Sequence, residues 1–100
     1  MGINLKLKDP EIIIITNKKA VIVMIGIYKI TNLLTDECYI GQSKDIERRL
    51  AEHKTQRMSS IDRDIQNFGV DNFSFEVICE CQENELDDLE NYYINYYNSY

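Results

Sequence analysis

Two tripeptides, Gly26-Ile27-Tyr28 and Tyr39-Ile40-Gly41, stand a short distance apart in the first half of the chain. Each lies in a segment where apolar and polar residues alternate, a pattern typical of a β-strand. We therefore predict strands over residues 26–32 and 38–42. Residues 33–37 supply a loop, so the two strands are predicted to form an antiparallel hairpin.

Downstream of the hairpin the hydrophobic period changes to that of a helix. Residues 44–54 carry Ile46 and Leu50 at helical spacing, and Ser43 is the predicted N-cap. A second helix is predicted from Ser59 or Ser60 to residue 68, where Gly69 offers a left-handed stop.

The last third of the chain returns to a strand and then to a helix. Residues 73–79 alternate again, which predicts a third strand. Residues 83–97 form the final predicted helix, whose apolar stripe is Leu86, Leu89, Tyr93, Ile94 and Tyr97. The predicted fold class is α+β, with a small three-stranded antiparallel sheet flanked by helices.

A chain of 100 residues is long enough for one compact domain and too short for two. We place that domain at residues 24–100. The β-branched runs at 12–15 and 20–25 are separated by a polar break, so residues 1–23 are either an extra hairpin or an appendage outside the domain.

Composition and charge exclude several classes of protein. With 44% hydrophobic and 28% charged residues the chain is typical of a globular protein, and its longest apolar stretch is far below the roughly 20 residues that cross a bilayer. We expect no membrane association and a cytoplasmic location. The net charge of −6 argues against a simple basic DNA-binding protein, and after Gly69 there are eight acidic residues and no basic one.

Helical geometry distinguishes two neighbouring arginines of the first helix. Successive side chains are rotated by roughly 100°, so Arg49 and His53 lie on one edge of the apolar stripe while Arg48 points away. A guanidinium turned toward the sheet needs an anionic partner. Phosphate fits its planar fork, and a structural carboxylate is the alternative.

Glu90 is the one carboxylate that falls inside the apolar stripe of the final helix. A carboxylate among apolar neighbours is costly unless something pairs with it. A Mg²⁺ ion is one such partner, and Arg49 alone is the other.

The whole pattern resembles the GIY-YIG nuclease family. After the two tripeptides the resemblance continues through residues 44–53, Ser59-Ser60-Ile61, Phe68-Gly69, Asn72-Phe73 and residues 89–94. Each tripeptide alone is a weak signal, but their order, spacing and placement on a hairpin make the combination specific. The chain is most similar to the catalytic domains of intron homing endonucleases, and more distantly to the excision-repair nuclease UvrC.

The resemblance implies a role for each residue of the candidate site. Tyr28 becomes the general-base candidate and Tyr39 its orienting partner, although a phenol with a pKa near 10 needs help from Arg49, Lys44 or a metal-bound water. Glu90 takes the place of the family's metal-binding glutamate, with Mg²⁺ or Mn²⁺ as the ion. Gly41, Lys44 and Arg49 would face the substrate. His53 is either a proton relay or a surface histidine.

The function implied is metal-dependent hydrolysis of DNA phosphodiester bonds. The rivals are a non-catalytic nucleic-acid-binding module with the same fold and a structural interaction domain that uses the acidic final helix. Few basic residues lie near the site, so we expect a further DNA-recognition domain or a homodimer to supply targeting. The chain ends before the strand whose asparagine often completes the family's site, which predicts a truncated domain.

Overall fold

Two short strands open the described part of the chain. The computed structural model describes residues 12–16 and 19–98. Strands β1 (Ile12–Thr16) and β2 (Lys19–Val23) pair antiparallel in a two-stranded sheet of their own. Residues 1–11, part of the same predicted N-terminal segment, lie outside the described residues. The division of the chain at residue 24 stays a prediction.

Three further strands form the central antiparallel sheet. Strand β3 (Gly26–Asn32) lies between β4 (Cys38–Ser43) and β5 (Phe73–Glu80). The first has the predicted bounds, and each of the other two is one residue longer than predicted. Together with the helices that flank it, this sheet confirms the α+β class.

The register of β3 and β4 decides which side chains share a face. Tyr28 lies opposite Gly41, and Ile30 lies opposite Tyr39. Because directly paired residues project to the same side and side chains alternate along a strand, these four positions share one face of the sheet. Tyr28 and Tyr39 are therefore diagonal neighbours.

A bulge interrupts the pairing of β3 with β5. Ile27 pairs with Cys79 but the next residue, Tyr28, pairs with Val77, which leaves Ile78 as an extra residue in β5. The predicted alternation places Val77 and Cys79 on one face. The extra residue reverses the facing, so Cys79 packs with the opposite core cluster instead.

The first two helices begin at different kinds of cap. Helix α1 (Ile46–Thr55) is capped by Asp45, whose side chain accepts from the Arg48 amide. The predicted Ser43 cap is wrong because that residue still belongs to β4, where it pairs with Gly26.

Helix α2 (Ser60–Phe68) follows the sequence-based prediction. Ser59 is its N-cap in a reciprocal capping box with Asp62, and the helix ends at Gly69, whose φ is 94°. A single 3₁₀ turn, Val70–Asn72, then leads into β5.

The final helix is shorter than predicted. Residues Glu83–Glu85 form a 3₁₀ turn, and α3 runs over Leu86–Tyr97. The predicted apolar stripe is confirmed, since all five of its side chains pack in one core cluster. No helix in residues 12–16 and 19–98 is long and apolar enough to span a membrane.

The sheet is the middle layer of three. On one side, Ile27 and Ile40 pack with Leu86 and the rest of α3. On the other side, Tyr28 and Ile30 pack with the apolar residues of the first two helices, which are Ile46, Ile61 and Ile65. The tyrosine face of the sheet is therefore the face covered by α1 and α2.

Gly26 allows β3 and β5 to approach beside the bulge. A Cβ atom at this position would lie 2.0 Å from the Cys79 carbonyl oxygen. Because that oxygen belongs to the backbone of a paired strand, only a separation of the strands could relieve the clash.

We expect Gly26→Ala to lower the free energy of unfolding by about 1–3 kcal/mol, the range for overpacking a dense interior. Urea denaturation measures this. Thr31→Ala on the same strand is the control, and its cost should stay below about 1 kcal/mol. Equal stability of Gly26→Ala and the parent chain would contradict the close approach.

Candidate active site

The Tyr28 side chain lies at the centre of the tyrosine face. It is 1% exposed, and its hydroxyl is 2.7 Å from Nε2 of His53 on α1. Gly41, directly opposite, leaves room for the ring: a Cβ there would lie 2.4 Å from the ring carbon Cζ and 2.4 Å from the hydroxyl oxygen. The absence of a side chain at Gly41, in the second tripeptide, therefore makes room for the Tyr28 ring of the first.

His53 continues a chain of hydrogen bonds into the interior. It is fully buried, so the surface-histidine alternative is wrong. Its Nδ1 atom lies 2.6 Å from Oδ1 of Asp62, a carboxylate of α2 that is also fully buried. The structure thus joins Tyr28, His53 and Asp62 into one line from the sheet through both helices.

The protonation states along this line agree with one another. Burial raises the pKa of the Tyr28 phenol well above its usual value, so it carries its proton at neutral pH. Burial lowers the pKa of His53, although the hydrogen bond to Asp62 opposes the shift, so the imidazole is neutral. Burial resists ionisation of Asp62, but its hydrogen bonds from His53, Ser59 and Met58 outweigh it and lower its pKa.

Tyr39 completes an aromatic cluster with the first two members of the line. Its ring centroid lies 6.4 Å from that of Tyr28 and 5.7 Å from that of His53, edge-on to the imidazole. Tyr39 is only half-buried. Burial raises the pKa of its phenol, and the positive charge of Arg49 opposes that shift. Its hydroxyl is therefore also protonated at neutral pH.

The two arginines of α1 differ as helical geometry predicts. The side chain of Arg49 is 32% exposed, and that of Arg48 is 64% exposed. Only Arg49 acts on the site, since its charge opposes the raised pKa values of Tyr28 and Tyr39.

Arg49 also has a structural carboxylate as a partner, but the ion pair is weak. Its Nη1 atom lies 3.1 Å from Oε1 of Glu52, one turn along the same helix, and Arg48 shares that carboxylate at 2.6 Å. A partly exposed pair within one helix contributes only about 0.2–1 kcal/mol. Arg49 can therefore exchange this partner for a phosphate.

Glu90 approaches from the opposite layer, at the edge of the sheet. It is half-buried on α3, and its Oε1 accepts from Nε2 of Gln42 at 2.9 Å. Its negative charge contributes to the raised pKa values of both Tyr28 and Tyr39, so its field reaches the aromatic cluster. It makes no ion pair with Arg49, and the alternative of a Glu90–Arg49 pair is not found.

The edge where Glu90 lies suits a hard divalent cation. Asp87 Oδ1 accepts from the same Gln42 amide nitrogen at 2.8 Å, so two carboxylates converge there. In residues 12–16 and 19–98, no ion pair to lysine or arginine neutralises either of them. No cluster of three or more metal-ligating side chains occurs in the same residues. Such a site fits Mg²⁺, which binds through one or two carboxylates and keeps several waters.

Lys44 lies outside the aromatic cluster. It is exposed, and its Nζ lies 2.8 Å from Oε2 of Glu83. That hydrogen bond raises the pKa of Lys44 above its usual value, which keeps the ammonium charged. In the structure Lys44 therefore joins the start of α1 to the turn before α3.

Two residues of this site were missed by the sequence reasoning. Asp62 carried a usable signal, because it follows the capping residue Ser59 by three positions and lies beside the buried Ile61 and Ile65. Like Glu90, Asp62 is a carboxylate among apolar neighbours. Gln42 had only its position after Gly41 to mark it.

Comparison with known proteins gives the class. The sequence profile of the GIY-YIG catalytic domain matches residues 24–100, most of the chain. The chain therefore belongs to the GIY-YIG family. Its fold and family make it a GIY-YIG endonuclease.

Two solved structures are similar to it. The catalytic domain of homing endonuclease I-TevI is 28% identical, covers 74% of this chain and 88% of its own, and superimposes with a TM-score of 0.60. A mutant of the I-TevI catalytic domain is 24% identical, with 76% and 86% coverage and a TM-score of 0.63, and supports the fold alone. No curated protein matches the sequence.

We expect Gly41→Ala to displace the Tyr28 ring and break its hydrogen bond to His53. Nuclease activity should then fall by about 10²–10⁴-fold, the usual contribution of a placed proton-transfer group. Cleavage of supercoiled plasmid measures the loss.

Gly69→Ala is the matched control for Gly41→Ala. Its Cβ would make only an ordinary contact, 3.7 Å from the Asn72 side-chain amide nitrogen, but its φ of 94° is strained, so it should lose about 1–2 kcal/mol of stability and keep its activity while folded. Parental activity in Gly41→Ala would show that the ring tolerates displacement.

Proposed function

We propose that this endonuclease hydrolyses DNA phosphodiester bonds with a water nucleophile and a divalent metal ion. The observation that carries the proposal is the buried line from Tyr28 through His53 to Asp62. The charges of Arg49 and Glu90 both act on the tyrosines of this site. The similarity to a homing endonuclease catalytic domain supports DNA as the substrate.

Tyr28 acts as a relay rather than as a free phenolate. Its raised pKa makes loss of the proton to bulk water unfavourable. The 2.7 Å hydrogen bond offers another route, in which the hydroxyl passes its proton to Nε2 of neutral His53 while it accepts one from the attacking water. His53 is then the base, and Tyr28 carries the proton from the attacking water to the buried imidazole.

Arg49 stabilises the charge that develops on the phosphate. It is partly buried beside the aromatic cluster, where a guanidinium interacts more strongly with an anion than it does in water. Tyr39 would hold the substrate or the water through its protonated hydroxyl.

Glu90 is the proposed metal ligand, with Asp87 beside it. When bound, Mg²⁺ or Mn²⁺ would neutralise charge on the scissile phosphate and stabilise the leaving oxygen. Gln42 holds both carboxylates in place through one amide nitrogen and so orients Glu90 toward the site.

The DNA backbone would be held mainly from the α1–α2 side. Arg57, Arg63, Gln66 and Asn67 line a cleft of about 340 Å³ there, all with side chains that donate hydrogen bonds. Neither arginine has an ion pair within residues 12–16 and 19–98, whereas α3 is acidic. Because so few side chains would contact phosphates, the affinity for DNA should depend only weakly on the salt concentration. A further domain or a homodimer would supply target selection.

We expect Glu90→Gln to lose more than about 100-fold in Mg²⁺-dependent cleavage, the scale of one charged contact in a transition state. The variant should stay folded, because the substitution keeps the side-chain volume and the half-exposed position. A plasmid-nicking assay with and without Mg²⁺ measures the loss.

The matched control for Glu90→Gln is Asp88→Asn, which removes one charge from an exposed position of α3. It should cleave like the parent chain. If the two variants lose activity equally, the cleavage rate depends on the total negative charge of α3 and not on Glu90 as a metal ligand.

We expect Arg49→Ala to lose about 10²–10³-fold in cleavage rate and Arg48→Ala to lose little, since removal of one placed charge stabiliser has that effect. The two residues are sequence neighbours with the same charge and the same partner, Glu52. Single-turnover cleavage by both variants measures the difference. Similar losses in the two variants would mean that the positive charge of α1 attracts phosphate without any specific position of Arg49.

A further inference from the structure

Asp62 is held by contacts on both of its carboxylate oxygens. Oδ1 lies 2.6 Å from His53 Nδ1, while Oδ2 accepts from the backbone amides of Met58 at 3.1 Å and Ser59 at 3.2 Å. The side chain is fully buried, so no solvent competes for these contacts. The carboxylate therefore has one position and one orientation.

An ionised carboxylate can only accept hydrogen bonds, so the Nδ1 atom of His53 must donate. With its proton on Nδ1, a neutral imidazole presents a lone pair at Nε2. That lone pair faces the Tyr28 hydroxyl at 2.7 Å. The other tautomer would place a proton between Nε2 and the hydroxyl, and the hydroxyl could no longer donate.

We propose that Asp62 is a positioning residue of the nuclease site, which sets the His53 tautomer and thereby enables Tyr28 to pass a proton inward. Asp62 itself touches neither substrate nor metal. The inference rests on the proposed function, because it assigns a role within the proton path proposed there.

Asp62 also belongs to the N-terminal cap of α2, and a test must separate the two roles. Its Oδ2 accepts from Met58 and Ser59, and its amide donates to the Ser59 hydroxyl at 3.3 Å. Asp62→Asn separates the roles, since the amide oxygen can keep the two backbone contacts. The NH₂ group then faces His53 and donates to Nδ1, which forces the opposite tautomer.

The pH dependence follows from the charged and titratable groups that face His53. They are Tyr28 on β3, Tyr39 on β4, Arg49 and Glu52 on α1, and Asp62 on α2. Burial and Arg49 lower the pKa of His53, while Asp62 and Glu52 oppose the shift. Activity should therefore be full at neutral pH and fall only when acidification below the ordinary histidine value protonates Nε2.

The experiment compares the full chain with Asp62→Asn. We expect the variant to lose about 100-fold or more in cleavage rate, the lower end of a proton-transfer contribution. Its DNA affinity should be unchanged, and its residual activity should lose the acid limb of the pH profile. Nitrogen NMR of the single histidine should show Nδ1–H in the parent chain and Nε2–H in the variant.

Ser59→Ala is the control for the cap, since it removes the other half of the capping box and leaves His53 alone. It should lower the unfolding temperature but keep the parental rate and tautomer while folded. A Ser59→Ala loss as large as that of Asp62→Asn would overturn the proposal, and so would a parental rate or an unchanged tautomer in Asp62→Asn. A parent chain that cleaves no DNA with Mg²⁺ would instead overturn the proposed function, and the NMR comparison would still decide whether Asp62 sets the tautomer.

Discussion

The hydrogen bond between the Tyr28 hydroxyl and Nε2 of His53 connects the sheet to the helices that cover it. Its position imposes conditions on several other residues. Gly41 must lack a side chain so that the ring can lie against β4, and Asp62 must reach Nδ1 so that the imidazole keeps its orientation. A buried polar network is stable only if every member is satisfied, and each atom of this line has its partner. The contacts that stabilise the interior are thus the same ones that would carry the proposed proton path.

The charged groups of the site come from opposite layers of the fold. Arg49 lies on α1 and Glu90 on α3, with the edge of β4 between them. Their side chains do not pair with each other. A guanidinium and a carboxylate in contact would neutralise one another, so this separation supports the proposed roles of Arg49 toward phosphate and of Glu90 toward a cation. Arg49 is held by its weak ion pair with Glu52, and Glu90 is held by a hydrogen bond from the Gln42 amide.

Local sequence patterns predicted most of the elements, and they failed where tertiary pairing intervened. Strand β3 and the capping of α2 followed from alternation and from Ser59, because those signals act over a few residues. The cap of α1 was misplaced by two positions since Ser43 is still paired in the sheet. The facing of Cys79 was missed because a bulge opposite Ile27 is a property of two strands together. Helical rotation separated Arg49 from Arg48 correctly, as it depends on one helix alone.

By itself the sequence determined the order of strands and helices, the family, and the two charged candidate residues Arg49 and Glu90. Alternation, helical spacing and caps are local, and the two tripeptides lie in one hairpin. Only the tertiary structure decided that His53 is buried, that Asp62 lies behind it, and that Gln42 joins Asp87 to Glu90. Each of these contacts joins two different secondary-structure elements. Their distances depend on how the two helical layers pack on the sheet, and no local pattern encodes that packing.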